Sequence, residues 1–153
     1  MKRGEQKRIP VPADTHHRAY VFGAYNWERR SVSYLLADHA NTEAFLAFLE
    51  HLVVDDYPDQ RLVLVMDNAS YHKGTLTRAC FSLVEHRVLV LYLPAYCSHL
   101  NPIERFWRYL KDQVCADTLF MTFPDLLDSL EQQLRHQNDL TASLRFSFSN
   151  HQL

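Results

Sequence analysis

The strongest constraint on the fold of this chain is a pair of short, unbroken apolar runs, each stopped by residues that carry chemistry or force a turn. Arg61-Leu62-Val63-Leu64-Val65-Met66 ends in Asp67-Asn68, and Arg87-Val88-Leu89-Val90-Leu91-Tyr92 ends in Leu93-Pro94. Apolar runs of this length without alternation read as strands buried on both faces of an α/β sheet, and a proline after the second forbids its continuation. Sheets of this kind carry their functional groups at the carboxyl ends of their strands, which singles out Asp67. Neither run approaches the roughly 18–20 apolar residues that cross a bilayer, so no membrane span is expected.

Around these runs the periodicities alternate. Ala19-Tyr20-Val21-Phe22-Gly23-Ala24-Tyr25 and Ser31-Val32-Ser33-Tyr34-Leu35-Leu36 flank a polar turn and predict a hairpin. Phe45, Leu46, Phe48, Leu49, Leu52 and Val53 recur at helical spacing over residues 42–54, behind Asn41 as N-cap and ahead of Tyr57-Pro58-Asp59. A short helix suits residues 75–83. Asn101-Pro102-Ile103-Glu104 opens another to about Cys115, with Ile103, Phe106, Trp107, Leu110 and Val114 on one face, and a last helix is expected over roughly residues 123–136. The order hairpin, helix, strand, helix, strand, helix, helix is a mixed α/β arrangement. With 153 residues and no internal repeat, one domain is expected: an irregular lead-in to about residue 18, a core over 19–137 and a tail over 138–153.

Composition removes several classes of function. A net charge of -2 argues against holding nucleic acid by bulk electrostatics, so any DNA contact must be local. Cys80, Cys97 and Cys115 are scattered and form no Cys-x-x-Cys pair, which suggests neither a disulfide framework nor a zinc finger and points to a reducing cytoplasm. Cys97 and His99 lie two apart with no further pair to complete a soft-metal site, and His16-His17 reads as surface. The first residues show no export signal.

Asp67 closes a strand and Glu104 stands in the first turn of a helix. Two carboxylates converging at the end of a sheet can hold Mg²⁺ or Mn²⁺, hard cations that take carboxylate, water and phosphate oxygens. Each also has a plainer reading. Glu104, three residues after Asn101, can complete a capping box, and Asp67-Asn68 can be a strand-ending turn.

The wording of the two segments adds to this. Leu64-Val65-Met66-Asp67-Asn68-Ala69-Ser70-Tyr71-His72 and the stretch from Leu91-Tyr92-Leu93-Pro94-Ala95-Tyr96 through Leu100-Asn101-Pro102-Ile103-Glu104-Arg105-Phe106-Trp107 to Lys111 closely resemble two catalytic blocks of transposases of the Tc1/mariner and bacterial IS630 group. Phe22-Gly23-Ala24 and Glu43-Ala44-Phe45-Leu46-Ala47-Phe48-Leu49 extend the likeness. The resemblance implies a ribonuclease H-like mixed sheet flanked by helices, and cut-and-paste DNA transposition at a two-metal site of three acids. It maps the second acid onto Asp67 and the third onto Glu104. It implies DNA as partner, together with the upstream half of a transposase or an intact copy, and a bacterial cytoplasm in association with the nucleoid.

Family members carry their first acid on the central strand, ahead of the hairpin, and no counterpart is visible here; the expectation is an amino-terminally truncated catalytic domain. Asp14 is the only acid in that neighbourhood besides Glu5, and it reads as part of a loop after Pro12. Asn68 can orient Asp67 or contact a metal-bound water, with a turn residue as the alternative, His72 can touch phosphate or the site edge unless it is a solvated helix-start residue, and Asn101 caps the helix that carries Glu104. Lys73, Arg78, Arg105, Arg108 and Lys111 are candidate phosphate contacts, with a solvated helix face as the alternative for each. Trp107 reads as core packing. The rival from another class is a non-catalytic remnant that pairs with an intact transposase through open strand edges.

Overall fold

The structure, a computed structural model, describes residues 17–115 and 120–149, with side chains described as far as residue 139. Most of the lead-in expected over residues 1–18, with Asp14 and His16, lies outside the described residues, as do residues 150–153 of the expected tail.

β1 (Tyr20–Asn26) and β2 (Ser31–Ala37) form the expected antiparallel hairpin. Its turn is set by Asn26, whose Oδ1 accepts from the Arg29 amide at 2.9 Å, and by Arg30 in the left-handed region at φ 52°. Helix α1 (Thr42–Glu50) starts where Asn41 Oδ1 accepts from the Ala44 amide at 2.9 Å. The single α-helix expected over residues 42–54 is corrected at its end: residues His51–Asp56 form a π-helical turn, which buries Leu52 and Val53 beside Leu49. The Arg87 guanidinium fastens this turn by donating to the carbonyls of Val53 and Tyr57.

β3 (Leu62–Met66), α2 (Thr75–Leu83) and β4 (Val88–Tyr92) make a parallel β-α-β unit. Leu62, Leu64, Met66, Val88 and Val90 pack against Phe45, Phe48, Leu49 and Val53 of the α1 segment and Phe81 of α2. Burial on both faces, expected from the unbroken apolar runs, does not hold. Val63, Val65, Leu89 and Leu91 stand 46–60% exposed, because α1 and α2 cover one face and the later helices pack elsewhere. Those helices, α3 (Pro102–Cys115) and α4 (Phe123–Ser149), lie on the outer face of the hairpin, where Val32, Ile103, Phe106, Leu110, Val114, Phe120 and Leu134 form a second core.

One further expectation is corrected: the last helix runs to Ser149 rather than to about His136. Asn138 explains the continuation: its amide accepts from Val32 N at 2.9 Å and donates to Val32 O at 3.0 Å, so this turn of α4 is held against β2. The mixed sheet, expected to lack its central strand, is among the described residues two separate two-stranded sheets, because no described strand bridges β1 and β3. The two run in opposite directions. Asn26 at the end of β1 donates to the Tyr57 hydroxyl ahead of β3, whereas Phe22 near the start of β1 shares a core cluster with Met66 at the end of β3.

Candidate active site

Asp67 follows directly on β3, and the loop that carries it is fixed from three sides. The Asn68 amide donates to Leu93 O at 2.6 Å and the Tyr92 hydroxyl to His72 O at 2.8 Å, tying this loop to the end of β4. From α2, fully buried Thr77 donates its hydroxyl to Tyr71 O at 2.7 Å. From α1, the Phe45 ring lies 4.6 Å from the His72 ring.

Asp67 itself makes the Asx turn weighed against a catalytic role, since Oδ1 accepts from Ala69 N at 3.1 Å. The same oxygen lies 3.0 Å from His72 Nδ1, which is also 3.2 Å from Asp67 O. Both partners are acceptors, so Nδ1 carries the imidazole proton. These contacts engage Oδ1, and the side chain remains 43% exposed. The solvated alternative for His72 is corrected: its side chain is only 13% exposed. The Tyr71 hydroxyl is pushed above its ordinary range, first by burial and then by the charge of Asp67.

Glu104 occupies the first turn of α3, where a carboxylate is favoured by the helix dipole. Asn101 starts the helix, with Oδ1 accepting from Ile103 N at 3.3 Å and its carbonyl from Glu104 N at 3.1 Å. The reciprocal half of a capping box is not made, because the Asn101 amide donates to Ser98 O at 2.9 Å. Glu104 is therefore exposed and unemployed by the cap.

Asp67, His72, Asn101 and Glu104 all open onto one groove of about 570 Å³ that runs between β1 and β3. Among the described residues, neither carboxylate is paired with lysine or arginine, and no three His, Cys, Asp or Glu side chains converge as a metal-binding group. Asp67 and Glu104 suit a hard dication in kind and supply two ligands of a set, and Glu28 of the hairpin turn also lines the groove. Arg105, Arg108 and Lys111 are exposed on α3, with Arg108 and Lys111 one and two turns beyond Glu104. Arg78 is exposed on α2, and Lys73 lies over the Tyr92 ring at 5.1 Å. Trp107 packs against Gly23, and among the described residues Cys97 and His99 join no metal-binding group.

One residue the sequence did not single out is Tyr96, 99% exposed with a left-handed backbone at φ 63° in the loop that leads to Asn101. Its signal is conformational and is not legible in residue type, since nothing about a tyrosine announces that geometry.

An α/β unit with an aspartate closing a parallel strand, and a glutamate opening a later helix onto the same groove, has the frame of a carboxylate-bearing nuclease domain. Sequence comparison agrees: the profile of the family described as DDE superfamily endonuclease matches residues 1–127, and the chain belongs to that family. It is 27% identical over 112 residues to the "Insertion element IS630 uncharacterized 39 kDa protein" of Shigella sonnei, covering 73% of this chain and 32% of that protein. It is 26% identical over 111 residues to "Uncharacterized protein y4pE/y4sA" of Sinorhizobium fredii (strain NBRC 101917 / NGR234), covering 71% of this chain and 77% of the relative. The chain thus spans about a third of the Shigella protein's length. No helix among the described residues is long and apolar enough to cross a membrane.

Proposed function

We propose that this chain is the carboxyl-terminal part of the catalytic domain of an IS630-type transposase, with a ribonuclease H-like organisation, and that it acts in metal-dependent cleavage and transfer of DNA strands. The observation that carries the reading is that Asp67 and Glu104, the acids assigned by the family resemblance, open from different elements onto the same groove. Glu104 does so without a structural duty in the cap.

In this reading Asp67 and Glu104 hold Mg²⁺ or Mn²⁺ together with a third acid contributed from outside the described residues. The bound ions would activate the attacking oxygen and stabilise the leaving one. His72 fixes the Asp67 carboxylate by engaging Oδ1, and Asn68 holds the loop that carries it to the end of β4. Such supporting contacts keep a ligand in the geometry its ion requires. Lys73, Arg105, Arg108 and Lys111 position the DNA backbone through its phosphates. The partners are transposon-end and target DNA, in a bacterial cytoplasm.

The test joins this chain to the upstream segment of a related IS630 protein and assays nicking of transposon-end DNA with Mg²⁺ or Mn²⁺. Asp67→Asn and Glu104→Gln each lower nicking by a factor of about a hundred or more, the order typical for removal of an essential group. Unchanged nicking in either variant overturns the site assignment.

A further inference from the structure

The loop between β4 and α3 joins the two acid-bearing elements. At its start the Asn68 amide, next to Asp67, donates to Leu93 O at 2.6 Å, and at its end Asn101 opens the helix that carries Glu104. Pro94, Ala95, Tyr96 and Cys97 form a turn within it, closed by Cys97 N donating to Pro94 O at 3.2 Å. Tyr96 is the third residue of that turn, with φ 63°. Glycine or asparagine fills such a position at little cost, whereas a tyrosine holds its Cβ against the following carbonyl. The side chain recovers nothing from the rest of the chain, because it stands 99% exposed.

A bulky residue in a glycine position, with its ring in solvent beside a candidate active site, is placed for something outside the chain. Its surroundings narrow the choice. Ala95, Ser98 and His99 are exposed and small or polar, so the turn offers one ring rather than the apolar centre of a protein interface. Cations stand toward both ends of the loop. Lys73 Nζ lies 5.1 Å from the centre of the Tyr92 ring, whose hydroxyl donates to His72 O, and Arg105 and Arg108 are exposed on α3. An exposed ring between basic side chains holds a nucleic-acid strand by taking phosphates on the cations and a base on the ring face. Inside a duplex each base face is covered by its neighbour, so the ring can take only a base that is unpaired or terminal. Three Cα steps of about 3.8 Å keep Tyr96 within about 11 Å of Leu93, beside the loop that carries Asp67.

We propose that Tyr96 is a stacking platform for an unpaired nucleobase of the DNA strand handled in the groove. The inference rests on the reading of the groove as a DNA-cleaving site and adds to it the state of the substrate: a strand with one base outside the duplex stack next to the acids. The ring face makes the contact, and the hydroxyl is dispensable.

The experiment measures binding of the full chain, without divalent metal, to three end-labelled DNAs by fluorescence anisotropy: a blunt duplex, the same duplex with a short single-stranded overhang, and the overhang duplex with abasic sugars in place of the unpaired nucleotides. The overhang duplex binds about tenfold tighter than the other two, the order that one base on an aromatic ring contributes. Tyr96→Asn, which keeps a residue tolerant of the left-handed backbone, abolishes that preference and leaves the affinity for the blunt duplex unchanged, while Tyr96→Phe retains it. Equal binding of blunt and overhang DNA by the unsubstituted chain overturns the proposal, as does a preference that survives Tyr96→Asn. Loss of the preference in Tyr96→Phe assigns the contact to the hydroxyl and overturns it as well. Each of these results leaves the reading of the acids standing, whereas failure to bind any of the three DNAs overturns the proposal together with the DNA reading on which it rests.

Discussion

At Asp67 one carboxylate oxygen is engaged locally, by the Ala69 amide and the His72 ring, while the side chain stays in contact with solvent. The turn reading and the ligand reading of this residue are therefore compatible, because the Asx turn uses Oδ1 and sets the direction of the rest of the group. His72 was the harder residue to read. Its burial comes from Phe45, 27 positions earlier by subtraction of their numbers, and no local pattern announces a contact at that separation. Tyr71 gives a pH test. Its folded pKa is raised above the ordinary 10.0, so its stabilising contribution is complete below that value and is lost as pH climbs through the folded pKa. Tyr71→Phe should flatten the alkaline fall in stability, measured by denaturation across that range. Asp67→Asn should lower the Tyr71 pKa modestly, since the charge is the smaller of its two causes. Tyr96→Gly should stabilise the fold by about 1 kcal/mol, because glycine adopts a left-handed backbone without steric cost. A loss of DNA affinity in that stabilised variant would assign the tyrosine side chain to the nucleic acid.

Among the elements, the hairpin, the β-α-β unit and the start of α3 were legible because their signals are local: alternation, an Asn cap, a proline at the first helical position. The sidedness of β3 and β4 was not. An unbroken apolar run states that both faces avoid water and does not state whether anything in the same chain covers them, and here Val63, Val65, Leu89 and Leu91 remain uncovered among the described residues. The length of α4 was missed for a related reason, since the contact that continues it is a polar side chain on a distant backbone. Asn138→Ala should cost about 1–3 kcal/mol by stranding the Val32 amide and carbonyl, read as a shift in the denaturation midpoint. Gly23 marks the closest approach of β1 and α3: a Cβ there would fall 2.5 and 2.7 Å from the Trp107 ring. Gly23→Ala should destabilise by about 1–3 kcal/mol through overpacking, and the double variant with Trp107→Phe should recover part of the loss if this contact is its cause.

For the molecule as a whole, two small sheets share α1 but not a strand, and the groove between them holds both candidate acids. The family resemblance in the sequence put forward Asp67 and Glu104. That both line one groove could not be read from spacing, because it depends on how β1, β3 and α3 lie around that groove, a relation between segments that carry no mutual signal. With Asp67 and Glu104 as the candidate ligands, and Glu28, which also lines the groove, joining them in no metal-binding group among the described residues, the chain alone is expected to show no metal-dependent DNA cleavage. Robust cleavage by the purified chain would mean that another acid completes the set. The central claim concerns metal at these residues and is tested most directly without DNA, by titrating Mn²⁺ into the labelled chain and following paramagnetic broadening. Asp67, Asn68, His72 and Glu104 should broaden first, and Asp67→Asn and Glu104→Gln should abolish the effect. Broadening confined to other carboxylates, such as Asp55 and Asp56 beside His51, with Asp67 and Glu104 untouched, would contradict it.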